Sequence, residues 1–542
     1  MYCSYRIGLQ SWQVQRIVSS MTVQQNNASP VRSILRERLP LLVVVLLACA
    51  YAGYFSYFTV LKHYTFHTFG YDLGIFMQHL WTTLHGHGIL YTSVSESSGL
   101  GWHFSPILFL LLPLYAAAPY AETLLVLQSC VLATGSVAVY LIAGRRVSPW
   151  LAAVFAAAYL LYPALHGVNS SDFHPVALSI PLLLFTFHFL ESGRLRCGFV
   201  FAVLSMMCKE NVPLVVAMMS FYLLVRDVGL RTPVSKAWES VWQPRLLPIT
   251  TLGILAVVWF CAALFAVIPH FSQSGGYPYF GRYGGSGLAL IGNLRYASPL
   301  KLEYVRDLFS PLLFLSVGSP GALLIAVPGL AQNLLARNPN QVMIWFQYSA
   351  IIVPGMFIAA VLTAGRMKAW LDSGGRWVMV ALLLSAAIIW SASLSPAPLA
   401  LSRDMPQRTF HHDVVDAAIA LVPDEASVHA QNDLYPHLCH RLYAYCTLSP
   451  IRIDFFRYYR YSMNQFYERS DGVEFEYILV DDSNEQSTLR MADAGSLERL
   501  DKEYGVYAAG DGVFLYRKGY EGDATDLVEL AADTTHDGVL SQ

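Results

Sequence analysis

Apolar runs long enough to cross a lipid bilayer recur through most of the chain and constrain its fold more than any other feature. The first, from Pro40 to Leu61, holds about 20 apolar residues, enough for a hydrocarbon core about 30 Å thick. The 542 residues are 55% hydrophobic and only 13% charged, whereas soluble domains carry about 25% charged residues. We therefore predict a polytopic α-helical membrane protein with about ten or eleven spans.

Basic residues give the predicted orientation. Arg32, Arg36 and Arg38 precede the first span, so the positive-inside rule places the N-terminus in the cytoplasm of a plasma-membrane protein. Later turns predicted to face the cytoplasm are also basic, including Arg145 and Arg146. The rule places three loops outside the membrane: residues 62–122, 166–175 and 269–309.

Composition changes at both ends of the membrane region, which spans residues 39–394. Residues 1–38 are polar, lack steady periodicity and lack the apolar core of a signal peptide, so they are predicted to form a disordered cytosolic tail. Residues 395–542 have a soluble composition and are predicted to form a small extracytoplasmic α/β domain. Its predicted helices are Phe410–Leu421 and Glu485–Leu500, and its predicted strands are Ser427–Ala430, Tyr477–Val480 and Val513–Tyr516.

Four ionisable residues are predicted to lie at or near membrane depth on the outer side: Asp72, Asp172, Lys209 and Glu210. Ionisable groups there are costly and mark functional sites by default. Each also has a structural interpretation. Asp72 could be a solvated loop residue or a helix cap, and Asp172 could cap the helix that starts at Pro175. Lys209 and Glu210 could form an ion pair at the top of a helical hairpin.

Several classes of function lack support in the sequence. There is no Walker motif, GxGxxG fingerprint or HExxH helix, and the net charge of −2 does not suggest a nucleic-acid partner. The loop histidines lack a third ligand at a diagnostic interval, which disfavours zinc. Mg²⁺ or Mn²⁺ held by Asp72 and Asp172 together with a substrate phosphate fits better. Cys439 and Cys446 could form a disulfide if they face an oxidising compartment.

The chain resembles the membrane family catalogued as domain of unknown function 2079. The resemblance covers about Tyr54 to Arg517. It rests on the stretches YDLGIFMQHLWTTLHGHGILY, HFSPILFLLLPLY, ETLLVLQ, YLLYPALHGVNSSDFHPVAL, KENVPLVV, ASVHAQNDLYPHLCHR and YILVDD. One departure is Gln347, in WFQYSA, where a histidine is expected in many relatives.

That family is similar in plan to the glycosyltransferase-C superfamily, whose first outer loop carries an acid that acts as catalytic base. The resemblance implies that Asp72 is this base and that Asp172, with His174, supplies the second-loop acid or a metal site. It implies a polyprenyl-phosphate sugar as donor and inversion at the sugar carbon by direct displacement. The implied donor-binding residues are His103, Lys209, Glu210 and Arg282 for the phosphate, and Tyr277, Tyr279 and Tyr283 for stacking on sugar rings.

Two other functions fit the same composition. A transporter would use the buried charges as a permeation path, although no inverted hydropathy repeat is visible. A non-enzymatic scaffold would present the outer domain and would tolerate loss of Asp72. Convergence of Asp72, Asp172 and Lys209 on one outward cavity, open sideways to lipid, would favour the enzyme.

Overall fold

The computed structural model describes residues 30–229, 231–283, 287–447, 475–483 and 503–536. The first 29 residues, which include most of the predicted cytosolic tail, lie outside this part of the chain. The first helix begins at Pro30, so the predicted tail boundary at residue 38 falls inside a helix.

The membrane region is a succession of apolar helices, as the sequence predicts. In chain order they are α1 (Pro30–Tyr64), α2 (Ile75–Leu84), α3 (Ile107–Ala117), α4 (Ala121–Gly144), α5 (Pro149–Leu160), α6 (Pro163–Ser170), α7 (Pro175–Glu191), α8 (Leu195–Met206), α9 (Val212–Val228), α10 (Val234–Val241), α11 (Leu247–Phe271), α12 (Gly287–Arg295), α13 (Ser298–Phe309), α14 (Pro320–Leu335), α15 (Val353–Arg366) and α16 (Lys368–Leu394). A two-stranded hairpin, β1 (Tyr91–Thr92) with β2 (Ser97–Ser98), follows α2.

Four of these helices in the described chain are long and apolar enough to cross a bilayer alone: α1, α4, α11 and α16. The pair α5 and α6 is bent by 43° and counts as a fifth span if it is one element. Pro163 stands at the start of α6, where it cannot donate to the preceding turn, so the bend has a covalent cause. Counting the shorter apolar helices α3, α7, α8, α14 and α15 as well gives ten in the described chain, the lower of the two predicted numbers.

The structure adds detail to two segments of the membrane region. In the predicted outer loop of residues 269–309, helices α12 and α13 occupy the second half. Before α14, residues 310–318 form short 3₁₀ turns. Helix α14 begins at Pro320, where proline is tolerated, and contains a 3₁₀ segment at Leu324–Ala326.

The C-terminal domain is built on a mixed six-stranded sheet. Its strands are β3 (Val428–Gln431), β4 (Ala444–Thr447), β5 (Tyr477–Asp481), β6 (Tyr504–Gly510), β7 (Val513–Lys518) and β8 (Thr525–Asp526), in the spatial order β4-β3-β5-β7-β6-β8. Pairs β3–β4, β3–β5 and β6–β8 are parallel, and β5–β7 and β6–β7 are antiparallel. Helices α17 (Phe410–Ala420) and α18 (Leu527–His536) pack beside it.

The predicted α/β class of this domain is confirmed, and three of its strands and one of its helices were placed within a residue or two. Strands β4, β6 and β8 were not predicted. The predicted helix at Glu485–Leu500 lies outside the described residues.

This domain packs directly on the first outer loop. The Gln78 side chain, on α2, is fully buried between the two. It donates to the Arg441 carbonyl at 3.0 Å and accepts from the Tyr435 hydroxyl at 2.8 Å. Farther along, the Tyr115 hydroxyl lies 2.6 Å from His440 Nε2. The membrane region and the outer domain therefore share one polar, largely buried boundary beside α2.

Candidate active site

Asp72 lies in a π-helical turn, Gly70–Gly74, that leads directly into α2. Its side chain is 34% exposed, and its Oδ1 atom lies 3.0 Å from His174 Nε2. The buried Nδ1 atom of His174 has no partner among the described residues. A ring that donates from Nε2 and leaves Nδ1 as a bare acceptor fits this environment, because a second N–H there would be buried and unpaired. Asp72 is therefore an oriented, accessible carboxylate and not a helix cap.

Asp172 is the buried counterpart of Asp72. One oxygen accepts from Lys62 Nζ at 2.9 Å, and the other accepts from the Phe69 backbone N–H at 2.8 Å. Burial raises the pKa of Asp172, Lys62 opposes that shift, and the nearby charge of Asp72 adds to it. The helix that Asp172 was expected to cap begins after His174 and has no side-chain cap. Asp172 instead ties the end of α1 to the residue before the Asp72 turn.

Gln128, on α4, fixes the Asp172–His174 segment from behind. Its side-chain nitrogen donates to the Asp172 carbonyl at 2.8 Å, and its side-chain oxygen accepts from the His174 backbone N–H at 2.9 Å. Asp172 has φ = 59°, in the left-handed region that few non-glycine residues adopt. The two hydrogen bonds hold this turn in place, and they thereby fix the position of His174 beside Asp72.

Lys209 and Glu210 occupy the break between α8 and α9, as predicted. The buried Glu210 carboxylate accepts from the Phe104 N–H at 3.2 Å and the Tyr277 hydroxyl at 3.1 Å, and it lies 3.0 Å from His103 Nδ1. Burial alone would raise the pKa of Glu210, but His103 and Lys209 outweigh it and hold the pKa at about 2.

Lys209 is half-buried, and its side chain makes no hydrogen bond or ion pair with any residue that the structure describes. It is therefore not locked to Glu210 as a simple ion pair. Burial lowers the pKa of Lys209, the charges of Glu210 and Asp72 raise it, and that of Arg282 lowers it. Asp72, Lys209, Glu210 and Arg282 thus lie within electrostatic reach of one another, although they come from segments far apart in the chain.

The tyrosines of the second outer loop line this cluster. The Tyr279 ring stacks on His103 with centroids 4.8 Å apart and an interplanar angle of 11°, and the Arg282 guanidinium lies 4.2 Å from the same ring. Tyr277 is engaged with Glu210, and Tyr283 bonds Gln341. In this structure the Tyr279 ring packs on His103 and Arg282 and the Tyr277 hydroxyl is engaged, so stacking on a sugar remains a prediction.

The outer domain completes the Asp72 turn, which the sequence did not predict. Asn432 Oδ1 accepts from the Tyr71 N–H at 3.2 Å. The Tyr435 ring packs so closely on Gly74 that a Cβ atom there would lie 2.5 Å from Tyr435 Cδ1. The signal for this contact was the stretch QNDLYPHLC, which carries the family resemblance but has no motif of known chemistry.

The residues present do not assemble a protein-held metal site. No group of three histidine, cysteine, aspartate or glutamate side chains in the described chain is arranged to hold an ion. Each oxygen of the Asp172 carboxylate already accepts a hydrogen bond, one from Lys62 and the other from Phe69. The predicted Mg²⁺ or Mn²⁺ ion, held by Asp72, Asp172 and a substrate phosphate, stays a prediction.

The possible disulfide between Cys439 and Cys446 is not formed in the structure. Both are buried free thiols. Cys439 Sγ lies 3.3 Å from the Pro436 carbonyl, and Cys446 Sγ lies 3.4 Å from Asn432 Oδ1. Each sulfur is thus engaged with the loop beside it, and the two do not face each other.

The family model described as "Predicted membrane protein (DUF2079)" matches residues 62–515. The chain belongs to this family. The DUF2079 match includes Asp72, Asp172, Lys209 and the outer-domain strands β3 to β6 in one unit. No curated protein matches the sequence.

Solved structures of ArnT from Cupriavidus metallidurans align with most of this DUF2079 protein. The structure bound to undecaprenyl phosphate gives a TM-score of 0.49 at 11% identity, covering 87% of this chain and 97% of that one. The apo structure gives 0.48 at 12% identity with the same coverage. Similarities this distant assign no activity.

Proposed function

We propose that this DUF2079 protein is a membrane glycosyltransferase that moves a sugar from a polyprenyl-phosphate donor to an extracytoplasmic acceptor, with Asp72 as general base. The observation that carries the proposal is the pairing of an accessible, oriented carboxylate with an uncommitted cation in one electrostatic cluster. Asp72 is held by His174, and Lys209 has no fixed partner among the described residues. The resemblance to the glycosyltransferase-C plan supports the same assignment.

The base has one atom free for the reaction. His174 engages Oδ1 of Asp72, and Oδ2 makes no hydrogen bond to the described residues. In a direct displacement the acceptor oxygen bonds to the sugar carbon, the bond from that carbon to the phosphate oxygen breaks, and the hydroxyl proton passes to Oδ2. The products are the glycosylated acceptor and polyprenyl phosphate, with inverted configuration at the sugar carbon.

The cations suit the leaving group. Negative charge grows on the phosphate as its bond to the sugar breaks, and fixed positive charge there lowers the barrier. Lys209 and Arg282 are the candidates. Burial lowers the pKa of Lys209, and the Glu210 charge opposes that shift, so Glu210 favours the charged form of Lys209. Glu210 is thus a positioning residue, held by His103 and Tyr277 and not itself in contact with the phosphate.

The two acids have different roles in this proposal. Asp172 is buried and neutralised by Lys62, so it cannot accept a proton from an acceptor that approaches from outside. It supports the Asp72 turn through Phe69. Asp72, which is one-third exposed, is the member of the pair that an acceptor can reach.

The test is a transfer assay with the purified full chain in lipid nanodiscs and a panel of radiolabelled polyprenyl-phosphate sugars. Asp72→Asn keeps the side-chain shape and removes the base, so transfer is expected to fall by about 10²- to 10⁴-fold. Asp404→Asn, an exposed acid in the linker to the outer domain, is the matched control and should transfer normally. Equal transfer by Asp72→Asn and the control would remove the base assignment. Absence of transfer and of donor hydrolysis with every donor would favour the transporter or the scaffold.

A further inference from the structure

A second charged site lies at the opposite end of α4 from the Asp72 cluster. A cavity of about 280 Å³ is lined by the end of α4, the turn into α5 and the start of α16. Gln128 contacts the Asp172 segment, and Gly144 lines the cavity. The helix between them rises about 24 Å at 1.5 Å per residue, so the cavity lies at the other membrane face.

Positive charge dominates this cavity. Its basic side chains are Arg145, Arg146, Lys368 and Arg376, and its one acid is Asp372. Arg146 is neutralised by Glu191, which also pairs with Arg226. Three basic side chains remain against one acid.

None of these three cations is paired with an anion among the described residues. Lys368 is exposed and makes no ion pair with the described residues. Arg376 likewise makes no ion pair with them, and its guanidinium lies 5.4 Å from the centroid of the Trp377 ring. Arg145 donates to the neutral Ser192 hydroxyl at 3.0 Å. Such a cluster binds an anion with several oxygen acceptors, of which a phosphate is the commonest at a membrane surface.

Exposed tryptophans mark the depth of the cavity. Trp150, Trp370 and Trp377 are each 40% or more exposed, and each lies within two residues of a cavity-lining position. Tryptophan with this exposure is enriched where a membrane meets water, at the level of lipid headgroups. The cation cluster and the aromatic side chains therefore occupy the same layer.

We infer that this cavity binds the phosphate headgroup of an anionic phospholipid in the leaflet opposite the Asp72 site. The positive charge of the cavity favours an anionic ligand, and the tryptophans at headgroup level favour a lipid as the source of that anion. A free phosphate ion offers the same oxygen acceptors, so the test distinguishes a lipid phosphate from a soluble one. The inference is independent of the glycosyltransferase proposal.

The experiment titrates the full chain in detergent with phosphatidylglycerol, or with phosphatidylcholine of the same acyl chains, and reads bound lipid by native mass spectrometry. Each cation near a lipid surface is worth about fivefold in affinity, so Lys368→Ala should weaken phosphatidylglycerol binding about fivefold and Lys368→Ala with Arg376→Ala about 25-fold. The matched control is Lys236→Ala with Arg245→Ala, which removes the same charge from exposed positions between α9 and α11, on the same membrane side but outside the cavity.

The expected result is preference for phosphatidylglycerol, lost in the cavity variants and kept in the control. Equal weakening in the two double variants would overturn the site, because only net charge would then matter. Equal affinity for the two lipids would overturn it as well. A separate titration with inorganic phosphate distinguishes the sources: binding as tight as that of phosphatidylglycerol would assign the cavity to a soluble anion and refute the lipid. The single variant Lys368→Ala, at an exposed position, keeps the test valid if the double variant misfolds.

Discussion

Replacing Lys62 by methionine should destabilise the protein strongly, because it strips a buried carboxylate of its counter-ion. Asp172 is 2% exposed and Lys62 is 16% exposed, and their charged atoms lie 2.9 Å apart. Lys62 also donates to the Ser170 carbonyl at 2.8 Å. Methionine matches the length of the lysine stem, so the change removes the charge and the donors while largely keeping the packing.

The magnitude follows from burial. Breaking a buried ion pair by removing one partner costs about 3–5 kcal/mol, because the remaining charge is left uncompensated. The double variant Lys62→Met with Asp172→Asn leaves no such charge and should recover at least about 1 kcal/mol of that loss. The two substitutions are therefore predicted to be less than additive.

The pH dependence gives an independent check. Burial already raises the pKa of Asp172 in the folded protein, and loss of Lys62 should raise it further. A folded-state pKa above the unfolded value means that the folded state binds more protons, so stability falls as pH rises. The stability of Lys62→Met relative to the parent should therefore improve as the pH is lowered from 8 towards 5, whereas the double variant should show no such gain.

The assay is size-exclusion chromatography of detergent-solubilised protein after heating, with Lys236→Met as the control for loss of one exposed lysine. The control should match the parent at every pH. Two results would each show that Asp172 does not depend on Lys62 in the way that their contact indicates. One is that Lys62→Met unfolds at the same temperature as the Lys236→Met control. The other is that the loss of stability in the double variant equals the sum of the losses in the single variants.

Three further predictions concern the outer domain and the Glu210 carboxylate. Gly74→Ala places a Cβ atom 2.5 Å from the buried Tyr435 ring, and such overpacking should cost about 1–3 kcal/mol in thermal stability. In a protein that already carries Tyr435→Ala, the Gly74→Ala substitution should cause no further loss of thermal stability. His411, whose pKa is raised to about 9 chiefly by its bond to Asp481, should contribute stability that is complete below about pH 6.5 and lost as pH rises through 9. His411→Gln should flatten that loss in a melting series from pH 6 to 10. Glu210→Gln should lower the Lys209 pKa further and move the alkaline limb of the pH–rate profile of transfer to lower pH.

Each of these has a contradicting result. Additive losses from Gly74→Ala and Tyr435→Ala would mean that the two side chains do not meet. A parent protein whose stability is unchanged between pH 7 and 10 would show that the His411 contacts carry no folding energy. An alkaline limb that stays in place in Glu210→Gln would separate Glu210 from Lys209.

Much of the architecture is predictable because hydropathy is local. The break at Lys209 and Glu210, the span at α4 and the change to a soluble domain are all visible in short windows of sequence. The second outer loop was predicted less well. Its glycines and tyrosines suggest an open segment, whereas α12 and α13 follow them.

The site was predictable in its acids and not in its partners. Topology put Asp72 and Asp172 on one side of the membrane, but it gave no reason to pair Asp172 with Lys62, 110 residues away. The contact between Tyr71 and Asn432 spans 361 residues and joins two regions of different composition. Such pairings depend on how the helices and the sheet pack together, which the periodicity of a single sequence does not encode.

The most direct test of the central claim separates donor binding from transfer in Asp72→Asn. Purified parent and variant in nanodiscs are loaded with the labelled donor that the parent uses, and both retained donor and released polyprenyl phosphate are measured. If Asp72 is the base, the variant should bind donor within about threefold of the parent while its single-turnover transfer falls at least about 100-fold. A variant that transfers at the parental rate, or that loses transfer only because it no longer binds donor, would contradict the assignment.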